Sequence, residues 1–317
     1  MMNTPVLLIH FNRPDSTRRQ LEALKVVAPQ RVWILCDGPR AGRSGEAEKV
    51  AEVRAILDKL PWPCEVKRLY HEHNLGCFKN ISAGISWFLN DCEAGIILED
   101  DILPDPSFLR YCDELLIKYR DAAEVFAIAG HNRKPEPLAI KEDYGFSNYF
   151  DCWGWATWKR AWDQFDPTLN AWRDRSVWKV ICKRVFRNFR ARAYWAWMFR
   201  QVDLKRRDSW AYRFLLTIWK QRGCVVIPKV NLTENIGFTE EGTHTAHFSG
   251  QEVTACQQSF PLRHPHQIAV NPVIDRWFED GIHSKSFMVR LCWLCRKLRV
   301  IPRLLRVGNC EEPVVKL

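Results

Sequence analysis

The chain lacks the short signatures that would settle its chemistry at once. No Gly-x-Gly-x-x-Gly follows the first apolar run, which argues against dinucleotide binding. There is no Gly-x-x-x-x-Gly-Lys-Ser/Thr phosphate loop, no Gly-x-Ser-x-Gly elbow and no His-Glu-x-x-His pair. No apolar run approaches the ~20 residues that span a bilayer. Met1–His10 is too short for a signal peptide and lacks its basic start, so the expected compartment is the cytoplasm. Of the 12 cysteines only Cys292 and Cys295 form a close pair, and no second pair or nearby histidine set completes a zinc site. The cysteines are therefore expected to stay reduced and to act as small core residues.

What is present is a 317-residue chain, 47% hydrophobic, long enough for one large domain or two small ones. Its formal charge of +10 points to an anionic partner. The excess is uneven. Lys179–Arg207 carries ten cations against the single acid Asp203, and Lys285–Arg306 carries no acid. Aromatics alternate with cations in Arg184–Arg207, but no nucleic-acid module accompanies them, and nucleic acid is not expected as a partner. That run is expected to lay its long arginine stems over a core and point charge outward. Phe287–Arg306 mixes apolar and basic residues in a way that suits an anionic membrane surface, which would place the protein at the inner face of the membrane.

The first half alternates strand and helix signals. Val6–Phe11, Arg31–Cys36, Glu65–His71, Gly95–Leu98 and Val125–Ala129 read as strands. Helices are expected from Asp15 or Ser16 to Val27, and over 46–60, 78–90 and 106–119. Such alternation implies an α/β fold with a mainly parallel sheet covered on both faces. Asp37, Asn74 and the triplet Glu99-Asp100-Asp101 each lie just past a strand end and should converge on one edge, where ligands of open sheets bind. Three crowded carboxylates repel one another unless a cation joins them, and hard oxygens suit Mg²⁺ or Mn²⁺.

The second half is dense in tryptophan, above all Cys152-Trp153-Gly154-Trp155-Ala156-Thr157-Trp158. It reads either as a packed helical subdomain or as a platform on which sugar rings stack. Gly154 between two indoles suggests close backbone approach.

Taken together, Pro5–Pro14, Asp37-Gly38-Pro39-Arg40, Asn74–Cys77, Leu98–Pro104, Trp153–Trp158, Asn235–Phe238 and Gly242–Thr245 resemble a glycosyltransferase of the GT-A fold, family 2-like, in the nucleotide-diphospho-sugar transferase superfamily. The acid triplet is also similar to that of N-acetylglucosaminyltransferase I. The resemblance covers roughly residues 5–250. It implies a GT-A domain over 1–250, with a nucleotide-sugar half (1–131) and an acceptor half (132–250), followed by an extension with a basic helical tail (251–317).

Carried onto this sequence, the resemblance implies that Asp101 binds a Mn²⁺ or Mg²⁺ ion bridging the donor's phosphates, with His244 facing the metal or diphosphate. His10, Asn12, Arg13, Asp37, Asn74, Lys79, Glu99 and Asp100 would line the donor site, and Asn80 is a further candidate. Trp153, Gly154, Trp155 and Trp210 would meet the acceptor. The implied activity is metal-dependent, inverting transfer of a sugar from a nucleotide diphosphate to a hydroxyl of a glycan or lipid-linked acceptor, as in cell-envelope polysaccharide assembly.

An inverting transfer needs a base on the acceptor side. Asp208 is the first candidate, because it lies in the acceptor half beside aromatic residues, where partial desolvation would raise its basicity. Asp151 and Asp163 are the next, and this chain departs from the resemblance in carrying Ala211 where several members have an acid. Two rivals stay open: a nucleotidyltransferase on a related fold, and a non-catalytic glycan-binding relative.

Overall fold

The apolar runs become a sheet because each alternates between two cores. In β1 (Val6–His10), Leu7 and Ile9 join one apolar cluster while Val6 and Leu8 join another on the opposite face. A computed structural model describes residues 4–237 and 254–284. The remaining strands are β2 (Arg31–Cys36), β3 (Glu65–Tyr70), β4 (Ala94–Glu99), β5 (Ile102–Pro104), β6 (Val125–Ala129), β7 (Tyr144–Ser147), β8 (Trp155–Trp158), β9 (Cys224–Pro228) and β10 (Thr233–Asn235). Eight of them form one sheet in the order β3-β2-β1-β4-β8-β6-β9-β7, and β10 pairs with β5 in a two-stranded ribbon.

The helices are α1 (Pro14–Lys25), α2 (Glu46–Leu57), α3 (Cys77–Asp91), α4 (Pro106–Lys118), α5 (Lys159–Trp162), α6 (Asn170–Arg173), α7 (Arg175–Val185), α8 (Phe189–Asp203), α9 (Trp210–Lys220) and α10 (Pro272–Arg276). Side chains from α1, α2 and α4 fill one face of the sheet, and those from α3, α5 and α7 to α9 fill the other. The expected α/β class, with a mainly parallel sheet and helices on both faces, is what the chain adopts. Only β8 and β7 run against the other strands of the large sheet.

The tryptophan-rich segment is where the structure departs from expectation. Trp155–Trp158 is neither helix nor surface platform. It is a fully buried strand inserted antiparallel between β4 and β6. Gly154 makes that insertion possible: its φ is +74°, and a Cβ there would lie 2.6 Å from Thr233 Cγ2.

Residues 254–284, within the extension expected over 251–317, are fastened to the body. The carboxylate of Asp275 accepts hydrogen bonds from the Ser147 hydroxyl, the Asn148 amide and the Asn148 side chain, and Glu279 accepts from the Tyr149 hydroxyl. The basic tail from residue 285 lies outside the described residues, as does His244. All nine cysteines among the described residues are free thiols. No helix among those residues is long and apolar enough to cross a membrane.

Candidate functional site

Parallel strands bring their carboxyl ends to a common rim. In the register, Ile9 pairs with both Leu35 and Glu99, and His10 pairs with Cys36, so Asp37 and Asp100 each follow directly along neighbouring rows. Adjacent strands lie ~4.8 Å apart, which puts the ends of β2 and β4, on either side of β1, roughly 10 Å from each other. Asp37 and Asp101 therefore share one edge.

At that edge Arg13, just before α1, donates from Nη1 to Asp100 Oδ1 at 2.7 Å and to Asp101 Oδ2 at 3.1 Å. All three side chains are largely buried, at 17%, 11% and 15% exposure. Burial would lower the Arg13 pKa, but the two carboxylates outweigh it and raise it. One guanidinium does not balance three acids. Burial first, then repulsion from Asp101 and Asp100, pushes Glu99 up to about 8, and the Arg13 charge and then the Trp210 side chain only partly oppose this. Asp101 is raised to about 6 by burial and by Asp100, against the pull of Arg13. Asp100 is raised as well, burial prevailing over Arg13.

Two of the acids, from separate parts of the chain, are held on either side of Cys77, the first residue of α3: Asp37 accepts from the Leu75 N–H and Asp208 from the Phe78 N–H. Burial raises the thiol pKa most, and Glu99, Asp208, Asp101 and Asp37 each raise it further by their charge. Nothing in the sequence marks the segment around Cys77 as the place where these two acids are anchored. Gly237 is a second residue whose role became visible only in three dimensions. The β5–β10 ribbon carries the chain back to the triplet, the Ile236 N–H donates to Asp101 O at 2.8 Å, and a Cβ on Gly237 would lie 2.3 Å from Asp101 Oδ2.

The other expected donor residues divide. Asp37 Oδ1 accepts from the Gly38 and Leu75 N–H groups, each at 2.9 Å, and its Oδ2 accepts from Asn74 Nδ2 at 3.0 Å. Asp37 and Asn74 thus meet, tying the end of β2 to the loop after β3. Asn12 Nδ2 donates to Glu46 Oε1 at 3.1 Å. Lys79 is exposed, and Asn80 is buried in α3. His10 is 1% exposed, with Nδ1 3.0 Å from the Thr17 hydroxyl, so it is a core residue beneath the rim and offers no surface to a donor.

On the acceptor side two expectations are corrected. Trp155 is fully buried and Trp210 nearly so, and their rings stack with centroids 5.2 Å apart; neither presents a face to a sugar. Trp153 remains at the rim, partly exposed, with the Arg133 guanidinium carbon 3.9 Å from its ring centroid. Arg133, in the left-handed region at φ 61°, also pairs with the buried carboxylate of Asp151. That pairing removes Asp151 as a free base.

Asp163 is excluded by topology: β8 runs backwards, so its far end leads to the opposite edge of the sheet, where Lys159 N–H donates to Glu93 O and Asp163 pairs with Lys159. Asp208 does reach the site. It is exposed rather than desolvated, and its Oδ2 accepts from the Phe78 N–H at 3.2 Å, at the amino end of α3.

No trio of His, Cys, Asp or Glu among the described residues is arranged to hold a metal unaided. The chemistry of the rim nonetheless fits a hard divalent ion, since carboxylate oxygens face an uncompensated negative charge. Mg²⁺-type sites commonly use one or two carboxylates and complete the shell with water and substrate phosphate.

No protein-family model matches the chain, and no curated protein matches it. Among solved structures, it is similar to a mannosyltransferase from Pyrobaculum calidifontis in complex with GDP-Man and Mn²⁺, at 11% identity over 70% of each chain and a TM-score of 0.37. It is similar to mouse xyloside xylosyltransferase 1 at 12% identity, over 68% of this chain and 81% of that one, with a TM-score of 0.36. A third is HddC from Yersinia pseudotuberculosis, at 10% identity over 50% of this chain and 77% of that one, with a TM-score of 0.31. The functional reading rests on the chain's own side chains.

Proposed function

We propose that this protein is a GT-A-type glycosyltransferase that takes a nucleotide diphosphate-sugar and passes the sugar, with inversion, to a hydroxyl of a glycan or lipid-linked acceptor. The observation that carries the reading is the placement of Asp37 and the Glu99–Asp101 triplet at the carboxyl ends of β2 and β4, with Arg13 bound to Asp100 and Asp101 and with Asp37 and Asp208 both held by the Leu75–Phe78 segment. Ligands of open α/β sheets bind at such an edge.

Asp101, with Gly237 packed against it, would hold a Mn²⁺ or Mg²⁺ ion together with the donor's phosphate oxygens. Such an ion supplies Lewis-acid stabilisation of the charge that builds on the departing diphosphate. Arg13 fixes the orientation of Asp100 and Asp101 by binding both. Asp37, held by three donors, gives a rigid floor for the nucleoside. Asp208 is the proton acceptor for the attacking hydroxyl, and its bond from the Phe78 N–H keeps it aimed along the rim.

One observation favours a second reading. Ala211, in the first turn of α9 where the resemblance implies an acid, is half-buried against the core, and a sugar-binding protein without catalysis would tolerate it. Release of nucleoside diphosphate from a panel of nucleotide-sugars, measured with and without Mn²⁺, separates the two. An enzyme gives metal-dependent release that disappears in Asp101→Ala; a binder gives none with any donor.

A further inference from the structure

Helices α7 and α8 carry a surface that the proposed transfer chemistry does not use. Between them lies a cavity of about 570 Å³ walled by Arg175, Lys179, Lys183, Arg187 and Arg192, with Trp178 and Phe186 as apolar lining and no carboxylate. On α7, positions 175, 179 and 183 repeat every fourth residue, so the three cations share one face, while Ile181 and Val185 turn into the core. Arg175, Lys179, Lys183 and Arg192 have no carboxylate within ion-pair distance among the described residues. The nearby acids are engaged: Asp203 pairs with Arg173, Asp174 caps the first turn of α7, and Glu279 and Asp280 accept hydrogen bonds from the Arg187 N–H and the Asn188 side chain.

Apolar groups stand exposed among these charges. Val180 is 54% exposed, Phe189 at the cavity mouth 73%, Trp197 37% and Leu204 49%. The Arg190 guanidinium lies 5.9 Å from the Phe189 ring centroid, and that of Arg207 lies 6.0 Å from Trp197. Unpaired cations alone would suit any polyanion. Exposed phenyl, indole and aliphatic groups set among them suit a surface whose charge lies over hydrocarbon.

We propose that the α7–α8 face docks on an anionic lipid bilayer, with the cavity taking a phosphate-bearing headgroup. The 15 residues of α8 run about 22 Å from that cavity to the loop that carries Asp208. The proposal does not depend on which reaction the site performs, nor on the tail from residue 285.

The test is co-sedimentation of the full chain with phosphatidylcholine vesicles, with and without phosphatidylglycerol. The proposal predicts binding only when phosphatidylglycerol is present. Lys179→Glu with Lys183→Glu should weaken that binding roughly tenfold or more. Phe189→Ser, at an exposed position that leaves the core intact, should weaken it measurably, whereas Ile117→Ser, equally apolar and exposed on α4, should not. Equal binding to both vesicles, or unchanged binding by the charge-reversed and Phe189→Ser proteins, overturns the proposal. So does displacement from phosphatidylglycerol vesicles by a short RNA or by inorganic phosphate at low concentration, since either would assign the face to a soluble anion.

Discussion

Arg13 Nη1 lies 2.7 Å from Asp100 and 3.1 Å from Asp101, and it is the cation that lets two neighbouring buried carboxylates coexist. Removing one member of such a group leaves uncompensated charge in a low-dielectric setting, which costs about 3–5 kcal/mol. Arg13→Met should therefore lower unfolding free energy in urea by that order. Millimolar Mn²⁺ should recover part of the loss, because a divalent ion can replace the missing positive charge. An undiminished stability in the variant would mean that the carboxylates are relieved by something other than Arg13.

Gly237→Ala tests the close approach of the returning strand. The added methyl would sit 2.3 Å from Asp101 Oδ2 and 2.9 Å from its Cβ, so the acid itself must shift. A displacement of about 1 Å at a catalytic group can reduce turnover ~10²-fold. The variant should keep its circular dichroism spectrum and lose donor turnover by that order. Full activity would show that the position of Asp101 is not critical.

Much of this was legible in the sequence, and the reasons are local. Apolar runs such as Val32–Cys36 and Ile96–Leu98 end where acids begin, and parallel topology alone then carries Asp37 and Asp101 to one rim. The Trp155–Trp158 strand was not legible, because four residues without polar alternation do not reveal a period or a direction. The stacking of Trp155 on Trp210 was hidden for a similar reason: an indole looks the same in sequence whether it meets a sugar or another indole. The contact of Asp208 with Phe78 spans 130 residues, so only the closed fold reveals it.

That contact gives Asp208 two possible jobs, which Asp208→Asn separates. The amide oxygen still accepts from the Phe78 N–H, so a cap would survive. A base would not, and its loss costs about 10²–10⁴-fold in rate. We expect Asp208→Asn to keep its melting temperature and its affinity for nucleotide diphosphate while sugar transfer falls within that range. Retained transfer would leave Asp208 as a cap only.

His10 offers a pH-dependent check on the core beneath the rim. Burial lowers its pKa from 6.5 to about 3, so the folded protein holds it neutral where the unfolded chain is protonated. Its contribution is complete above pH 6.5 and declines as pH falls toward 3. At pH 5 the decline amounts to about 2 kcal/mol. His10→Asn should therefore destabilise less at pH 5 than at pH 7, by roughly that amount, in paired urea titrations. A pH-independent difference would place His10 in contact with water.

The central claim is that the acid rim binds the diphosphate of a nucleotide-sugar through a divalent ion. The most direct measurement is the thermal shift of the full chain with a panel of nucleoside diphosphates, each with and without Mn²⁺, run in parallel on Asp101→Ala. A ligand held by the folded state raises the melting temperature by mass action. The account predicts that at least one nucleotide stabilises the parent only with Mn²⁺ and leaves Asp101→Ala unmoved. Shifts that are absent throughout, or equal in parent and variant, would contradict it.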